Sequence, residues 1–113
     1  IIHPDFAIIF NNIGMVYLKQ KNVVKALECC LRSLEIKKRI YSEFPHHPYI
    51  INSFYSIGLI YEEMGDIDEA LKYFNKSNES ANIAYVTNKN HPDILNSLEK
   101  LKTLNEKIKT HEN

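Results

Sequence analysis

The sequence is poor in residues that break regular structure, with three glycines and four prolines among 113 residues, and it has no tryptophan. An all-β fold built on tight turns needs more glycine and proline than this, so helix is favoured. The hydrophobic fraction of 44% and the charged fraction of 25% are typical of a globular protein. At this length we expect a single domain that covers residues 1–113.

An excess of either charge is also absent, since 14 basic and 14 acidic side chains cancel. A neutral chain has no overall field that would draw it to nucleic acid or to an anionic membrane, so neither partner is expected. The basic triplet Lys37-Lys38-Arg39 is interpreted as a solvated helix face, with a targeting or phosphate patch as the alternative.

Long apolar runs and secretion signals are absent as well, so we expect no membrane-spanning segment. The first residue is Ile1 and not methionine, and we expect the chain to be a piece of a longer protein. Its two cysteines, Cys29 and Cys30, are neighbours that point about 100° apart on a helix, so they neither bridge nor share a metal. They are typical of reduced thiols, which favours a cytoplasmic location.

An internal repeat organises the chain, because three of the four prolines follow a histidine and these His-Pro pairs lie 44 positions apart each time. A shift of the sequence by 44 positions aligns many more identical residues. The aligned pairs are Phe10 with Phe54, Ile13 with Ile57, Gly14 with Gly58, Tyr17 with Tyr61, Ala26 with Ala70, Leu27 with Leu71, Ser33 with Ser77 and Tyr41 with Tyr85. We predict a first repeat over residues 3–46 and a second over residues 47–90.

A third, incomplete copy follows, with room for one helix over residues 91–110. It has Lys102 where the full copies have Gly14 and Gly58. In the full copies this position allows close packing, and a long polar side chain there indicates that no further helix packs against this side of the third copy. Such an arrangement is typical of a terminal capping helix.

Each full copy contains two stretches of helical periodicity. In the first copy, one stripe is formed by Phe10, Ile13, Gly14 and Tyr17, and a second by Ala26, Leu27, Cys30, Ser33 and Leu34. We therefore predict an all-α fold, an α-solenoid of antiparallel helical hairpins with two full repeats and a C-terminal capping helix.

The turn inside the second hairpin reads "MGDID", where Gly65 suits a left-handed backbone and Asp66 suits a helix cap. The first hairpin has Lys21 and Asn22 at these places. We expect Asn22 to adopt the glycine geometry or to cap the helix, in a looser turn.

The His-Pro pairs predict helix starts, because proline is preferred at the first helical position and the residue before it is kept out of helical geometry. The histidine is then a boundary residue that bonds locally or packs beside the preceding helix. A zinc site is the alternative, but equivalent residues of stacked helices lie about 10 Å apart or more, whereas each ligand must lie about 2.1 Å from the metal. We expect no metal and no cofactor.

The order aromatic, apolar, Gly, Tyr, then Gly-Asp, then Ala-Leu-x-x-Phe resembles the tetratricopeptide repeat, and "HPYIINSFYSIGLIYEEMGDIDEALKYFNKS" does so over a full repeat. The long period and the His-Pro start further resemble the kinesin light chain type of this repeat. The resemblance covers almost the whole chain. It implies a right-handed superhelix whose concave face, lined by the first helices, binds an extended peptide or a partner helix.

Residues of the first helices that lie off the packing stripes are the predicted peptide-binding groove: Asn11, Asn12, Met15, Asn52, Tyr55, Ser56, Leu59, Glu62 and Asn96, with Ile8, Leu18, Glu99 and Lys100 as further candidates. An asparagine side chain can accept a hydrogen bond from a peptide N–H group and donate one to a peptide carbonyl. The simpler alternative is that these asparagines are solvated helix residues. Some members of the family bind C-terminal carboxylates with lysine side chains in the groove, but this sequence has no cation at the equivalent positions. The acidic residues Glu62 and Glu63 instead favour a ligand that is mixed or mildly basic in charge.

No nucleophile elbow, phosphate loop or metal-spaced helix motif occurs in the sequence, so we predict no catalytic residue and no enzyme. Two functions remain open. The chain is either an adaptor that binds a protein or peptide, or an architectural segment of a larger signalling or motor-associated protein that self-associates through its ends. The apolar residues Ile1, Ile2 and Ile8 would favour such a contact.

Overall fold

The computed structural model describes residues 3–112 and the side chains of residues 3–110. Over this range it contains the helices α1 (Pro4–Lys19), α2 (Val23–Ile40), α3 (Pro48–Glu63), α4 (Ile67–Ala84) and α5 (Pro92–Glu112), and no strand. The helices pack as two hairpins, α1 with α2 and α3 with α4, and α5 packs against α4. The predicted all-α solenoid of helical hairpins is confirmed. Ile1 and Ile2 lie outside the described residues.

Histidine begins each of the three helices that the His-Pro pairs predict. The Nδ1 atom accepts a hydrogen bond from the backbone N–H two residues later, in His3 from Asp5 at 3.1 Å, in His47 from Tyr49 at 3.0 Å and in His91 from Asp93 at 3.0 Å. The imidazole thereby satisfies an N–H group that a helix leaves free in its first turn. The predicted role of these histidines as locally bonded boundary residues is confirmed.

The two hairpin turns have the same backbone geometry. Lys21 in the first turn and Gly65 in the second have left-handed backbones, with φ of 63° and 81°. The N–H of the following residue donates to the carbonyl of Tyr17 at 2.9 Å in the first turn and to that of Tyr61 at 3.0 Å in the second. The expectation of a looser first turn was wrong, since these bonds are equally short.

Asn22 follows one of the two expected alternatives. Its side-chain oxygen caps α2 by accepting from the N–H of Lys25 at 3.4 Å, as Asp66 caps α4 by accepting from the N–H of Glu69 at 3.2 Å. The left-handed position falls on Lys21, so the lysine itself adopts the conformation that glycine supplies in the second repeat.

Gly14 and Gly58 allow the two helices of each hairpin to approach closely. A β-carbon on Gly14 would lie 2.5 Å from the Sγ atom of Cys30, and one on Gly58 would lie 2.7 Å from the Cε1 atom of Phe74. Cys30 and Phe74 are fully buried in the core. Lys102, at the equivalent place on α5, is exposed, and among the described residues no following helix packs against α5.

Stacked tyrosine and histidine rings join one hairpin to the next helix. Tyr41, the C-cap of α2, stacks on His47, the N-cap of α3, with ring centroids 3.8 Å apart and planes 11° apart. Tyr85 at the end of α4 stacks on His91 in the same way, at 3.5 Å and 6°. These junctions place α1 beside α3 and α3 beside α5 on one face of the stack.

Candidate peptide-binding groove

Two cavities lie along the first helices. One, of about 300 Å³, is lined by Ile8, Asn11, Asn12, Lys37, Tyr49, Asn52 and Asp93. The other, of about 190 Å³, is lined by Ile51, Asn52, Tyr55, Ser77, Asp93 and Asn96. Asn52 and Asp93 line both, so the cavities adjoin across α1, α3 and α5. We call this pair of cavities the first-helix groove.

Five of the nine predicted groove residues line these cavities: Asn11, Asn12, Asn52, Tyr55 and Asn96. Ile8, a further candidate, lines the larger one. The remaining predicted residues lie nearer the C-terminal ends of the first helices and have other contacts. Met15 and Leu18 pack on the core beside α2, and Leu59 packs beside α4 and α5.

Ser56 is a correction to the predicted groove. Its side chain is buried between α1 and α3, where its Oγ accepts a hydrogen bond from the Nδ2 of Asn11 at 3.4 Å. The periodicity places Ser56 off the packing stripe, but the neighbouring first helix covers it. Unlike Asn11, this serine lines neither cavity of the first-helix groove.

Asn11 lines the groove although it is buried. Its Nδ2 donates to the Oδ1 of Asn52 at 3.4 Å as well as to Ser56, so the amide ties α1 to α3. The Oδ1 of Asn11 is buried and accepts no hydrogen bond from the described residues. Asn12, Asn52 and Asn96 are exposed and leave amides available on the groove surface.

Tyr55 supplies the aromatic surface of the smaller cavity. Its ring is half-buried and meets the ring of Phe74 edge-on, with centroids 5.4 Å apart. Burial raises the pKa of the Tyr55 phenol above its usual value, an effect that nearby Lys100 partly opposes and Glu62 reinforces. The phenol therefore stays neutral at physiological pH and can both donate and accept hydrogen bonds.

The acidic residues that favoured a basic ligand are engaged within the protein. The carboxylate of Glu62 lies 2.9 Å from the Nζ of Lys100 and 4.0 Å from that of Lys107. The carboxylate of Glu63 lies 2.6 Å from the Nζ of Lys21. These ion pairs remove the electrostatic reason for expecting a mildly basic ligand, and Glu62 lines neither cavity.

Lys37 is the groove residue that the sequence analysis missed. The basic triplet was interpreted as a solvated face, but Lys37 is 2% exposed, whereas Lys38 and Arg39 are exposed as expected. Its Nζ donates to the Oγ of Ser53 at 2.9 Å and lies 5.9 Å from the centroid of the Tyr49 ring. Burial lowers the pKa of Lys37 from its usual 10.5 to about 8, and the negative charge of a thiolate at nearby Cys30 acts in the opposite direction.

Tyr49 and Asp93 also line the groove without having been predicted. The repeat comparison contains a signal for all three residues, because the shift of 44 positions aligns Lys37 with Ala81 and Tyr49 with Asp93. The signal is weak, because buried core positions such as Cys30 and Phe74 also differ between the copies.

A third cavity, of about 370 Å³, lies away from the first-helix groove, between α2, the segment that follows it, α3 and α4. Lys38, Tyr41, His46, Phe54 and Ile83 are among its lining residues. The ammonium of Lys38 lies 5.9 Å from the centroid of the Phe54 ring. The second helices and the segment between α2 and α3 form most of this cavity, and it shares no lining residue with the first-helix groove.

The sequence was compared with known protein families. The family model described as tetratricopeptide repeat matches residues 5–82, which include α1, α2, α3 and most of α4. The chain belongs to the tetratricopeptide repeat family. Tetratricopeptide repeats are non-catalytic units that generally mediate contacts between proteins and serve as scaffolds. No curated protein matches the sequence.

None of the helices described for this tetratricopeptide repeat protein is both long and apolar enough to span a membrane.

Proposed function

We propose that this protein is an adaptor that binds a peptide or a partner helix in the first-helix groove. The observation that carries the proposal is that two adjoining cavities, of about 300 and 190 Å³, run across α1, α3 and α5 and share Asn52 and Asp93. An extended segment can cross both cavities, and the exposed amides of Asn12, Asn52 and Asn96 offer donors and acceptors for its backbone.

A peptide-array screen followed by affinity measurement tests this proposal. We expect Asn12→Ala and Asn52→Ala each to weaken the binding of array hits several-fold, because each removes an amide from the groove surface. Asn75→Ala is the matched control, since Asn75 is exposed on α4 and lines neither cavity. If both groove variants bind every hit as the wild type does, the groove assignment fails.

A second candidate function, self-association through α1, is favoured by an exposed apolar face. Phe6, Ile9, Ile13 and Val16 are between 42% and 54% exposed. The shift of 44 positions aligns them with Ile50, Ser53, Ile57 and Ile60, all 2% exposed or less where α3 packs beside α2. In α3 this face is thus buried against the preceding hairpin, whereas among the described residues no helix packs on the same face of α1.

Sedimentation at several protein concentrations tests the second candidate. A self-associating chain gives a mean mass that rises with concentration, and Ile13→Lys is expected to abolish the rise. Val24→Lys is the control, because Val24 is exposed on α2 and aligns with Asp68, a position that is exposed in the second repeat too. A wild-type protein that stays monomeric across the whole concentration range would exclude this function.

We further propose that the repeats are of the kinesin light chain type and that the protein acts in the cytoplasm. The period of 44 residues and the His-Pro helix starts support the first proposal. The free thiols of Cys29 and Cys30 support the second, because neighbouring reduced cysteines are typical of a reducing compartment. Localisation of the fluorescently tagged protein in cells tests the second proposal.

A further inference from the structure

The first-helix groove contains a buried cation without a counter-ion. Lys37 is 2% exposed, and its ammonium has one hydrogen bond, to the Oγ of Ser53 at 2.9 Å. Within residues 3–110, no carboxylate forms a salt bridge with it. An ammonium carries three donors and is costly to bury unless an anion or several acceptors face it. Lys37 therefore has both charge and hydrogen-bonding capacity that the protein leaves unused.

The fold itself does not require a lysine at this place. The second repeat has Ala81 at the aligned position, fully buried and packed with Ile51 and Ile94. Ser97, which aligns with Ser53, accepts instead from the amide of Asn78 at 3.0 Å. The same helical junction is thus built once with an apolar residue and once with a cation, so packing does not explain Lys37.

A second buried group points to a ligand at the same cavity. Asn11 and Lys37 both line the larger cavity of the groove, and the Oδ1 of Asn11 is buried without a donor. Unpaired buried polar atoms are uncommon because each costs free energy comparable to a lost hydrogen bond. A ligand that brings an anion to Lys37 and an N–H group to Asn11 would satisfy both.

Asp93 restricts the charge of such a ligand. Its half-buried carboxylate, which accepts a hydrogen bond from the Tyr85 phenol and lies 3.9 Å from the Nδ1 of His91, lines the same cavity as Lys37. The lining of the cavity therefore includes one cationic and one anionic side chain. A ligand with two or more negative charges at this point, such as a phosphate, would be repelled by Asp93. A single carboxylate next to a cation matches both protein charges.

We infer that the first-helix groove selects an extended peptide in which one carboxylate side chain reaches Lys37 and a cationic side chain two residues away faces Asp93. The spacing follows from the geometry of an extended chain, in which alternate side chains point the same way and lie roughly 7 Å apart. Both protein groups line one cavity of about 300 Å³, which such a pair can enter together. This inference rests on the proposed peptide-binding function and adds the chemistry of the ligand.

A set of capped nine-residue peptides tests the inference. Each alternates leucine and serine and carries Glu-Ser-Lys, Gln-Ser-Lys, Glu-Ser-Gln, Lys-Ser-Glu or Glu-Ser-Glu at its centre. Affinity is measured by calorimetry with wild type, Lys37→Met, Lys37→Ala and Lys38→Met. We expect Glu-Ser-Lys to bind about ten-fold more tightly than Gln-Ser-Lys, and more tightly than Glu-Ser-Glu. Both Lys37 variants should abolish the preference for Glu over Gln, and Lys38→Met should keep it.

The outcomes separate this inference from the function on which it rests. Equal binding of Glu-Ser-Lys and Gln-Ser-Lys to wild type overturns the inference without any protein variant, so a folding defect cannot obscure the result. Loss of the preference in Lys38→Met but not in Lys37→Met also overturns it, because the site would then lie in the cavity of about 370 Å³ that Lys38 lines. If neutral peptides bind and Asn52→Ala weakens them, the groove function stands while the charge selection falls. If no peptide binds, both fall.

Discussion

The ring of His47 lies 3.8 Å, centroid to centroid, from the ring of Tyr41 while its Nδ1 accepts the N–H of Tyr49 at 3.0 Å. One side chain therefore caps α3 and also attaches α3 to the end of α2. His91 does the same between α4 and α5 through Tyr85. His3 caps α1, but no aromatic ring of the described residues stacks on it.

His47→Ala is expected to lower the free energy of unfolding by about 2 kcal/mol, about 1 from the lost cap and the rest from the lost stack. His3→Ala should cost about 1 kcal/mol, because it removes a cap alone. Urea denaturation of both variants measures the difference. Equal losses in the two would show that the stack with Tyr41 adds nothing to stability.

Gly58→Ala is expected to destabilise the fold by about 1–3 kcal/mol, because the new methyl group would overlap the buried ring of Phe74. A β-carbon there would lie 2.7 and 2.8 Å from two of the ring carbons. Lys102→Ala changes the aligned position on α5, which is exposed, and should leave stability nearly unchanged. Thermal denaturation of the two variants provides the comparison, and a silent Gly58→Ala would mean that α4 moves away at little cost.

Lys21→Gly is expected to stabilise the protein by about 1 kcal/mol. A left-handed backbone costs a residue with a side chain about 1–2 kcal/mol relative to glycine. The ion pair between Lys21 and Glu63, which would be lost, is exposed and contributes less than about 1 kcal/mol. The reverse change, Gly65→Lys, should destabilise. Chemical denaturation decides between these opposing effects, and a less stable Lys21→Gly would mean that the ion pair outweighs the backbone strain.

Lys37 predicts a stability that rises with pH between about 8 and 9. Its pKa is about 8 in the folded chain and 10.5 when unperturbed, so over this range the unfolded chain binds more protons. The free energy of unfolding should then increase by about 1 kcal/mol in this interval. Cys30 opposes the trend increasingly within and above this interval, because burial raises the pKa of its thiol from 9.0 to about 11 and the folded chain keeps the proton.

Lys37→Met should abolish this rise and be at least as stable as the wild type at pH 7, since it removes an uncompensated buried charge. Denaturation curves at half-unit pH intervals check both expectations. The same rise in wild type and Lys37→Met would assign the effect to another group.

The architecture could be predicted from the sequence because its signals are local. A proline fixes the start of a helix, and a capping side chain follows each turn. The period of 44 residues then aligns the hairpins without any knowledge of how they pack. The first turn shows the limit of such signals, because they left open whether Asn22 adopts the left-handed backbone or caps α2, and in the structure Asn22 caps α2 while Lys21 is left-handed.

The groove could be predicted only in part, because burial at its edges depends on how neighbouring helices approach. Asn11 and Ser56 lie beside a helix from the other hairpin, a contact that one helix's periodicity does not contain. Lys37 belongs to α2 and was grouped with its solvated neighbours, but its long side chain extends to Ser53 of α3. Only the alignment of Lys37 with Ala81 hints at its different position.

The double role of His47 has a consequence for how the groove responds to a ligand. Because its imidazole is both the first cap of α3 and the stacking partner of Tyr41, a pivot of the two hairpins about this junction would have to separate the stacked rings or break the cap. Tyr49 and Asn52, which line the groove, lie in the first two turns of α3. We therefore expect the width of the groove at this end to change little on binding, so that the entropy lost on association falls mainly on the ligand.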